Sequence, residues 1–412
     1  MRRLPLNLLQ NRRLLNLWLA QGISGFGDML TFLAIPMLVY EATGSKAALS
    51  LAVFIRGVPT LLMGPFAGAL ADRWDRRRIM IASDLLMALL TIPVVLVKGT
   101  WLLPTIYVVV GLKAVIGTFF QPALSSVVPS LVARERLMSV NSFFSFTFQT
   151  VQFLAPLAGS VLVVTLGIKF LLLIDILSFL LSAWLISKTQ IPPHPERPHA
   201  AVTMTSLLAD IHAGLVHIKD SRLLSVMLLT VVITQFGQGF INPAWIPYMV
   251  EVLRTPAESF GVLVSMQGLG CMVGSLFLLA LGVRNWISTK GLYMFYLAGS
   301  GITIFMQVTT THFPIFLIWG TLVGFFIAGR GVASNTLIQH ATDPTMMGRV
   351  NSTFQILSQS AMMLAVLIAT LSSDWMTTRF LFILACSLWL TGCLLGTVLM
   401  AFVTERKHVE TA

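Results

Sequence analysis

Several charged side chains sit inside long apolar runs, among them Asp28, Arg56, Lys113, Asp175 and Arg330. A charge at the centre of a bilayer costs at least about 2.5–3.5 kcal/mol, so residues of this kind are there to hold, exchange or neutralise charge. Asp28 is the leading candidate for carrying a proton. Burial and a neighbouring cation act in opposite senses on a carboxyl's hold on its proton, which brings titration within reach. The competing reading makes Asp28 a permanently ionised partner of Arg56 or Lys113. Lys113 could attract an anionic group, modulate the Asp28 proton or form a static ion pair. Asp175 lies in the outer third of its run and is expected to hold a helix in place, and Arg330 lies in the inner third of its own.

Uncharged amides form a second set. Gln21, Gln121, Gln149, Gln235, Gln238, Asn242, Gln267, Gln355 and Gln359 fall in apolar runs, with Phe120 and Phe144 beside some of them. Amides mixed with aromatics suit a bulky amphipathic ligand, and Arg330 is grouped with them as a candidate contact. Ordinary hydrogen bonding and packing between helices is the plain alternative for any one of these residues. No phosphate-cradling glycine loop with a lysine, no metal-ligand spacing and no nucleophile elbow stands out. The expectation is a protein without enzymatic activity, metal or cofactor.

The elements that must position these residues follow from composition. Of the 412 residues, 56% are hydrophobic and 10% charged, against about 25% charged in soluble proteins. The chain cannot cover a water-facing surface and reads as an integral membrane protein. A span needs about 20 mostly apolar residues. Twelve stretches qualify, at 14–41, 48–71, 78–98, 102–128, 141–165, 168–188, 222–250, 259–282, 290–309, 313–338, 350–373 and 380–403. Of the 27 Lys and Arg, 19 fall on one face, five on the other and three inside the spans. That asymmetry is the positive-inside pattern and puts both termini in the cytoplasm. It also accounts for the +11 net charge without nucleic acid. The basic N-terminus runs into a stretch long enough to span and lacking a small-residue cleavage site, so it reads as the first helix. Cys271, Cys386 and Cys393 all lie in apolar runs and read as small buried hydrophobes.

The chain divides into a six-span half at 1–189, a linker at 190–221 and a second half at 222–412. The linker opens with a proline-rich stretch that cannot be helical. Leu207, Ile211, Leu215 and Ile218 then recur at helical spacing, as in an amphipathic helix on the membrane surface. The halves match at a constant shift of 210. Phe26-Gly27-Asp28 meets Phe236-Gly237-Gln238, Glu41 meets Glu251, Gly64 meets Gly274, and Val140-Asn141-Ser142 meets Val350-Asn351-Ser352. Six spans per repeat give parallel repeats, an organisation that places a substrate site near the midplane at the repeat interface.

Residues Gly68 to Arg78 read Gly-Ala-Leu-Ala-Asp-Arg-Trp-Asp-Arg-Arg-Arg. This charge cluster between two apolar runs must be a tight turn at a membrane face. With twelve spans and a parallel repeat, it resembles the signature turn of the major facilitator superfamily, Gly-x-x-x-Asp-Arg-x-Gly-Arg-Arg. Gly68, Asp72, Arg73, Arg76 and Arg77 match, and Asp75 replaces the second glycine. That replacement resembles the bacterial macrolide-efflux and enterobactin-exporter branch. So do Gly25-Phe26-Gly27-Asp28, Gln121-Pro122-Ala123-Leu124, Leu131 to Leu137, Asp175 to Phe179 and Gly348-Arg-Val-Asn-Ser352. Lys113 stands where the family's span-four signature has arginine. Of the antiporter signature Gly-Pro-x-x-Gly-Gly, Pro156 and Gly159 remain, and Ser160 replaces the last glycine.

The resemblance implies an all-α transporter working by alternating access. The expected activity is export of a drug-like or siderophore-like amphipathic molecule, driven by proton entry. The chain is expected to be a monomer in a bacterial inner membrane. Two other readings stay open: movement of lysophospholipid between leaflets, and a membrane sensor or scaffold on the transporter fold. Gly68, Asp72, Arg73, Arg76, Arg77, Glu135 and Arg349 form the expected cytoplasmic gate. In that gate Asp72 meets the start of span eleven and Arg349, where a helix N-terminus favours an anion, and Glu135 engages Arg73 or Arg76.

Overall fold

The computed structural model describes residues 11–71, 74–132, 136–190, 204–281, 288–372 and 375–403. Twelve helices among them are long and apolar enough to cross a membrane. In chain order the first six are α1 (Arg12–Thr43), α2 (Lys46–Ala71), α3 (Arg76–Leu96), α4 (Leu102–Leu131), α5 (Leu137–Leu166) and α6 (Ile168–Ser187). A further helix, α7 (Met204–Asp220), follows where the linker pattern predicts one. The remaining six are α8 (Arg222–Pro247), α9 (Ser259–Leu281), α10 (Thr289–Thr309), α11 (Phe313–Ala341), α12 (Met347–Ser372) and α13 (Thr378–Ala401). Every expected span is met to within a few residues, and the chain is a multi-pass, all-α membrane protein.

Local chemistry sets the ends. The Asn11 side chain accepts from the N–H groups of Arg13 and Leu14 and caps α1. Gly44, at φ 60, ends the same helix in the left-handed region, where the lack of a Cβ removes the penalty. Asp75, the residue that departs from the signature turn, caps α3. Its carboxylate accepts from Arg77 N at 2.9 Å and Arg78 N at 3.2 Å. Pro243 and Pro247 sit in α8, which passes into a π-helical turn at Tyr248–Val252. Proline withholds a backbone donor, and a widened turn is one way to absorb that loss.

The chain separates into two compact units that do not follow the sequence halves. One holds the first six spans together with 242–268 and 366–378, and the other holds 204–241, 269–365 and 379–412. In the first, α1 packs on α6 and α5, α2 on α4, and α3 on α6 and α4. Gly27 permits the closest of these approaches, since a Cβ there would lie 2.0 Å from Ser178 Oγ and 3.0 Å from Asp175 Cα. In the second unit Gly237 presses on α13, where a Cβ would lie 2.9 Å from the Ala385 carbonyl oxygen. Both pairs differ by 210, so the internal repeat seen in the sequence is also a repeat of helix contacts. Leu85, Leu89 and Leu96 of α3 are exposed, as a hydrocarbon-facing stripe requires.

Candidate functional site

The first unit contains a buried charge knot. Lys113 Nζ on α4 donates to Asp175 Oδ2 on α6 at 2.9 Å and to Thr91 Oγ1 on α3 at 3.1 Å. Thr91 Oγ1 also lies 3.2 Å from Asp175 Oδ2. The ammonium stands 4.9 Å from the centroid of the Phe179 ring. Asp175 is fully buried, and Met87, Ala88 and Phe179, with Ile116 and Ile176 against them, form an apolar cluster. Two charges in such surroundings are tolerated only as a pair. Asp175 thus holds α6 to α3 and α4, as its position in the sequence suggested, and the partner it holds is Lys113.

Asp28 lies at the midpoint of α1 and stays outside that pair. Among the described residues its carboxylate makes no ion pair or hydrogen bond, yet it lies within the electrostatic reach of Lys113, Asp175 and Arg56. Asp28 is exposed although Gly27 beside it and Leu30 are buried. Arg56 on α2 is exposed too, with its guanidinium 5.3 Å over the Phe32 ring. Gln121 on α4 is a third exposed polar side chain within a span. Charged groups in spans avoid lipid, which argues against Asp28 and Arg56 facing hydrocarbon. Gln149, Phe120 and Phe144 are half-buried, and so is Gln21, whose amide nitrogen is buried without a partner. Phe120 and Phe144 pack on the core around Leu17, Ile79 and Val127.

Sequence reasoning missed Asp84. This acid on α3 is buried, and Ser182 Oγ on α6 donates to its Oδ2 at 2.6 Å. It interacts electrostatically with Asp28. Its signal was legible: Asp84 follows Arg76 by eight residues, a depth of about 12 Å along a helix, too deep for the turn at the membrane face.

The residues of the antiporter-like signature pack closely. Gly159 on α5 leaves room for α1, since a Cβ there would lie 2.8 Å from Leu33 Cδ1. Ser160 Oγ donates to the Glu258 carbonyl at 2.9 Å and lies 3.2 Å from the Pro156 carbonyl. Gly261 at the start of α9 rests on the same two residues, with a Cβ position 2.1 Å from Ser160 Oγ and 2.6 Å from Pro156 O. Lys46 Nζ donates to the Met376 carbonyl at 3.1 Å. Serine in place of the last signature glycine therefore supplies a hydrogen bond that glycine cannot.

Of the expected cytoplasmic gate, Asp72, Arg73 and Glu135 lie outside the described residues, and Gly68 lies within α2. Arg76 is buried and donates to the Ser126 carbonyl at 3.2 Å, and Arg77 donates to the Ser187 carbonyl. These arginines tie the start of α3 to the C-terminal parts of α4 and α6, and the Ser187 carbonyl at the end of α6 is one that lacks a helical partner. Arg349, expected to meet Asp72, donates through Nε to Asp210 Oδ1 of α7 at 2.8 Å.

In the second unit Gln235, Gln238 and Gln359 are half-buried and Gln355 is exposed. Arg330 on α11 carries its guanidinium 5.2 Å over the Trp389 ring of α13. Asn242 and Gln267 belong to the first unit and are half-buried.

The twelve spans and the internal repeat match a known family. The family model described as Major Facilitator Superfamily matches residues 17–233 and 227–412. The chain belongs to the major facilitator superfamily. Within that superfamily it is similar to macrolide efflux protein A of Streptococcus pyogenes, at 23% identity over 90% of this chain and 91% of the relative. It is also similar to the multidrug efflux pump Tap of Mycolicibacterium fortuitum, at 24% identity over 94% and 95%. A bacterial homologue of the iron transporter ferroportin, crystallised in an inward-facing state, superposes with a TM-score of 0.71 at 16% identity over 95% of this chain and 98% of that one. A POT family transporter superposes with a TM-score of 0.73 at 11% identity over 95% and 96%. The chain is thus a membrane transporter with efflux-type relatives, not an enzyme.

Proposed function

We propose that this transporter exports a bulky amphipathic small molecule in exchange for protons, by alternating access between its two six-helix halves, with Asp28 as the proton carrier. The observation that carries the reading is the placement of Asp28: exposed at mid-span, beside Arg56, and left unpaired while Lys113 is committed to Asp175. A carboxylate with water access and a cation nearby can release and regain a proton. One locked into a buried ion pair cannot do so without great cost. The macrolide and multidrug efflux relatives support the direction of transport and an amphipathic cargo. The distribution of Lys and Arg supports a bacterial inner membrane with both termini in the cytoplasm. No cofactor is needed beyond the proton gradient, and a single chain suffices as the transporting unit.

The test is a panel of macrolides, dyes and catecholate siderophores applied to everted vesicles that carry a pH-gradient probe. Collapse of the gradient on adding one class of substrate supports antiport. Uptake that persists after the gradient is abolished overturns it.

A further inference from the structure

Two buried polar rungs join α3 to α6. One pairs Thr91 with Asp175, and the other, seven residues along each helix, pairs Asp84 with Ser182. The first rung carries a cation, since Lys113 Nζ lies 2.9 Å from Asp175 Oδ2. The second carries none. Asp84 is 1% exposed and Ser182 0%. Among the described residues the Asp84 carboxyl makes no ion pair, and its hydrogen bond is the 2.6 Å contact from Ser182 Oγ. Of the charged groups on the helices around it, Asp28 on α1 acts on Asp84 electrostatically, and it is an acid too. Lys113 on α4 is committed to Asp175. Arg76, eight residues earlier on α3, donates to the Ser126 carbonyl. A buried carboxylate with no cation is strongly unfavourable, and such a group neutralises by keeping its proton.

The second repeat builds the equivalent helices without any of these groups. Under the shift of 210, Asp84 meets Met294, Ser182 meets Gly392, Thr91 meets Gly301, Lys113 meets Val323 and Asp175 meets Ala385. Gly301 of α10 packs directly on α13, where a Cβ would lie 2.8 Å from Cys393 Cβ. Apolar side chains and glycines therefore suffice for this packing. An acid kept inside a span that the fold does not require marks a function. Its place fits the proton reading. Asp84 lies about 12 Å and Asp28 about 24 Å along their helices from the face where α3 and α1 begin. Between them α6 offers two buried hydroxyls one turn apart. Ser178 rests on Gly27, the residue before Asp28, and Ser182 donates to Asp84.

We infer that Asp84 is a second proton-binding carboxyl of the transport cycle, placed between Asp28 and the face that carries the Gly68–Arg78 turn. The inference deepens the proton-antiport reading and rests on it. Two acids within electrostatic reach hold one negative charge between them more readily than two. When the Asp28 carboxylate gains a proton, an O–H bond forms there. The Asp84 acid then breaks its own O–H bond and gives its proton to water on the side of the turn. Transfer of the Asp28 proton to Asp84 restores the starting pair, with one proton moved. The pair carries one negative charge before and after.

The test is infrared difference spectroscopy of the purified full-length protein in detergent across pH, wild type against Asp84→Asn. The amide is nearly isosteric and still accepts from Ser182, so the fold should be kept. The wild type should show the carbonyl band of a protonated carboxylic acid that Asp84→Asn lacks and Asp28→Asn keeps. That band should give way to a carboxylate band as the pH is raised. In everted vesicles Asp84→Asn should reach the membrane and bind substrate as the wild type does, but lose most of the substrate-driven collapse of the pH gradient. Carboxylate bands alone at every pH, or an acid band that no pH removes, would overturn the site. So would wild-type collapse by Asp84→Asn. Should that variant not fold, Ser182→Ala keeps the acid, removes its hydrogen bond and should shift the frequency of the acid band; an unshifted band would overturn the assignment. The spectra need neither substrate nor gradient. A missing band therefore removes Asp84 alone, whereas normal transport by Asp28→Asn with the band intact removes the antiport reading.

Discussion

Lys113 gives its ammonium to Asp175 at 2.9 Å and leaves Asp28, on the neighbouring helix, without an ion-pair partner. Two acids within reach of one lysine thus have different environments. Asp175 is sealed between α3, α4 and α6, and Asp28 is exposed at mid-span. The division of labour predicts different behaviour on substitution.

For the buried pair, breaking one side strands the other charge. Lys113→Met or Asp175→Leu alone should cost about 3–5 kcal/mol, read as a large fall in folded protein and in unfolding midpoint. The double variant Lys113→Met/Asp175→Leu should recover most of that loss, since apolar replacement of a whole buried pair is often neutral. Folded but inactive double-variant protein would assign the charges a role in transport beyond holding helices.

At the contact between α5 and the start of α9, Gly261→Ala brings a Cβ against Ser160 Oγ and the Pro156 carbonyl. Overpacking of this kind costs about 1–3 kcal/mol. Adding Ser160→Gly removes the nearer clash and should restore part of the unfolding midpoint. An unshifted midpoint in Gly261→Ala alone would contradict the close packing.

The Arg349–Asp210 pair is half-exposed, so its removal should change stability by no more than about 1 kcal/mol. Its worth lies in tying α7 to the start of α12. Asp210→Arg and Arg349→Asp should each lower export, and the charge-swapped double variant should regain it. Export unaffected by either single change would dismiss the contact as incidental.

Much of this arrangement was legible in the sequence. The twelve spans follow from length and hydropathy, and the linker helix from the spacing of Leu207, Ile211, Leu215 and Ile218. The shift of 210 anticipated that Gly27 and Gly237 would make equivalent contacts. Partner choice was not legible. Lys113 and Asp175 are 62 residues apart, and whether they meet depends on which faces of α4 and α6 turn inward. Hydropathy does not encode that in spans apolar on every side. The same limit hid the Asp210 partner of Arg349 and the Ser182 partner of Asp84. The reason for Asp75 in place of glycine is local, the cap it supplies to α3, and acid before a helix start is a pattern the sequence carries.

The central claim is that Asp28 carries the coupling proton, and its most direct test is Asp28→Asn in everted vesicles with a pH-gradient probe and a substrate that collapses the gradient in the wild type. The account predicts that the variant reaches the membrane at wild-type abundance and that substrate no longer releases the gradient. Wild-type collapse and wild-type export by Asp28→Asn would contradict it.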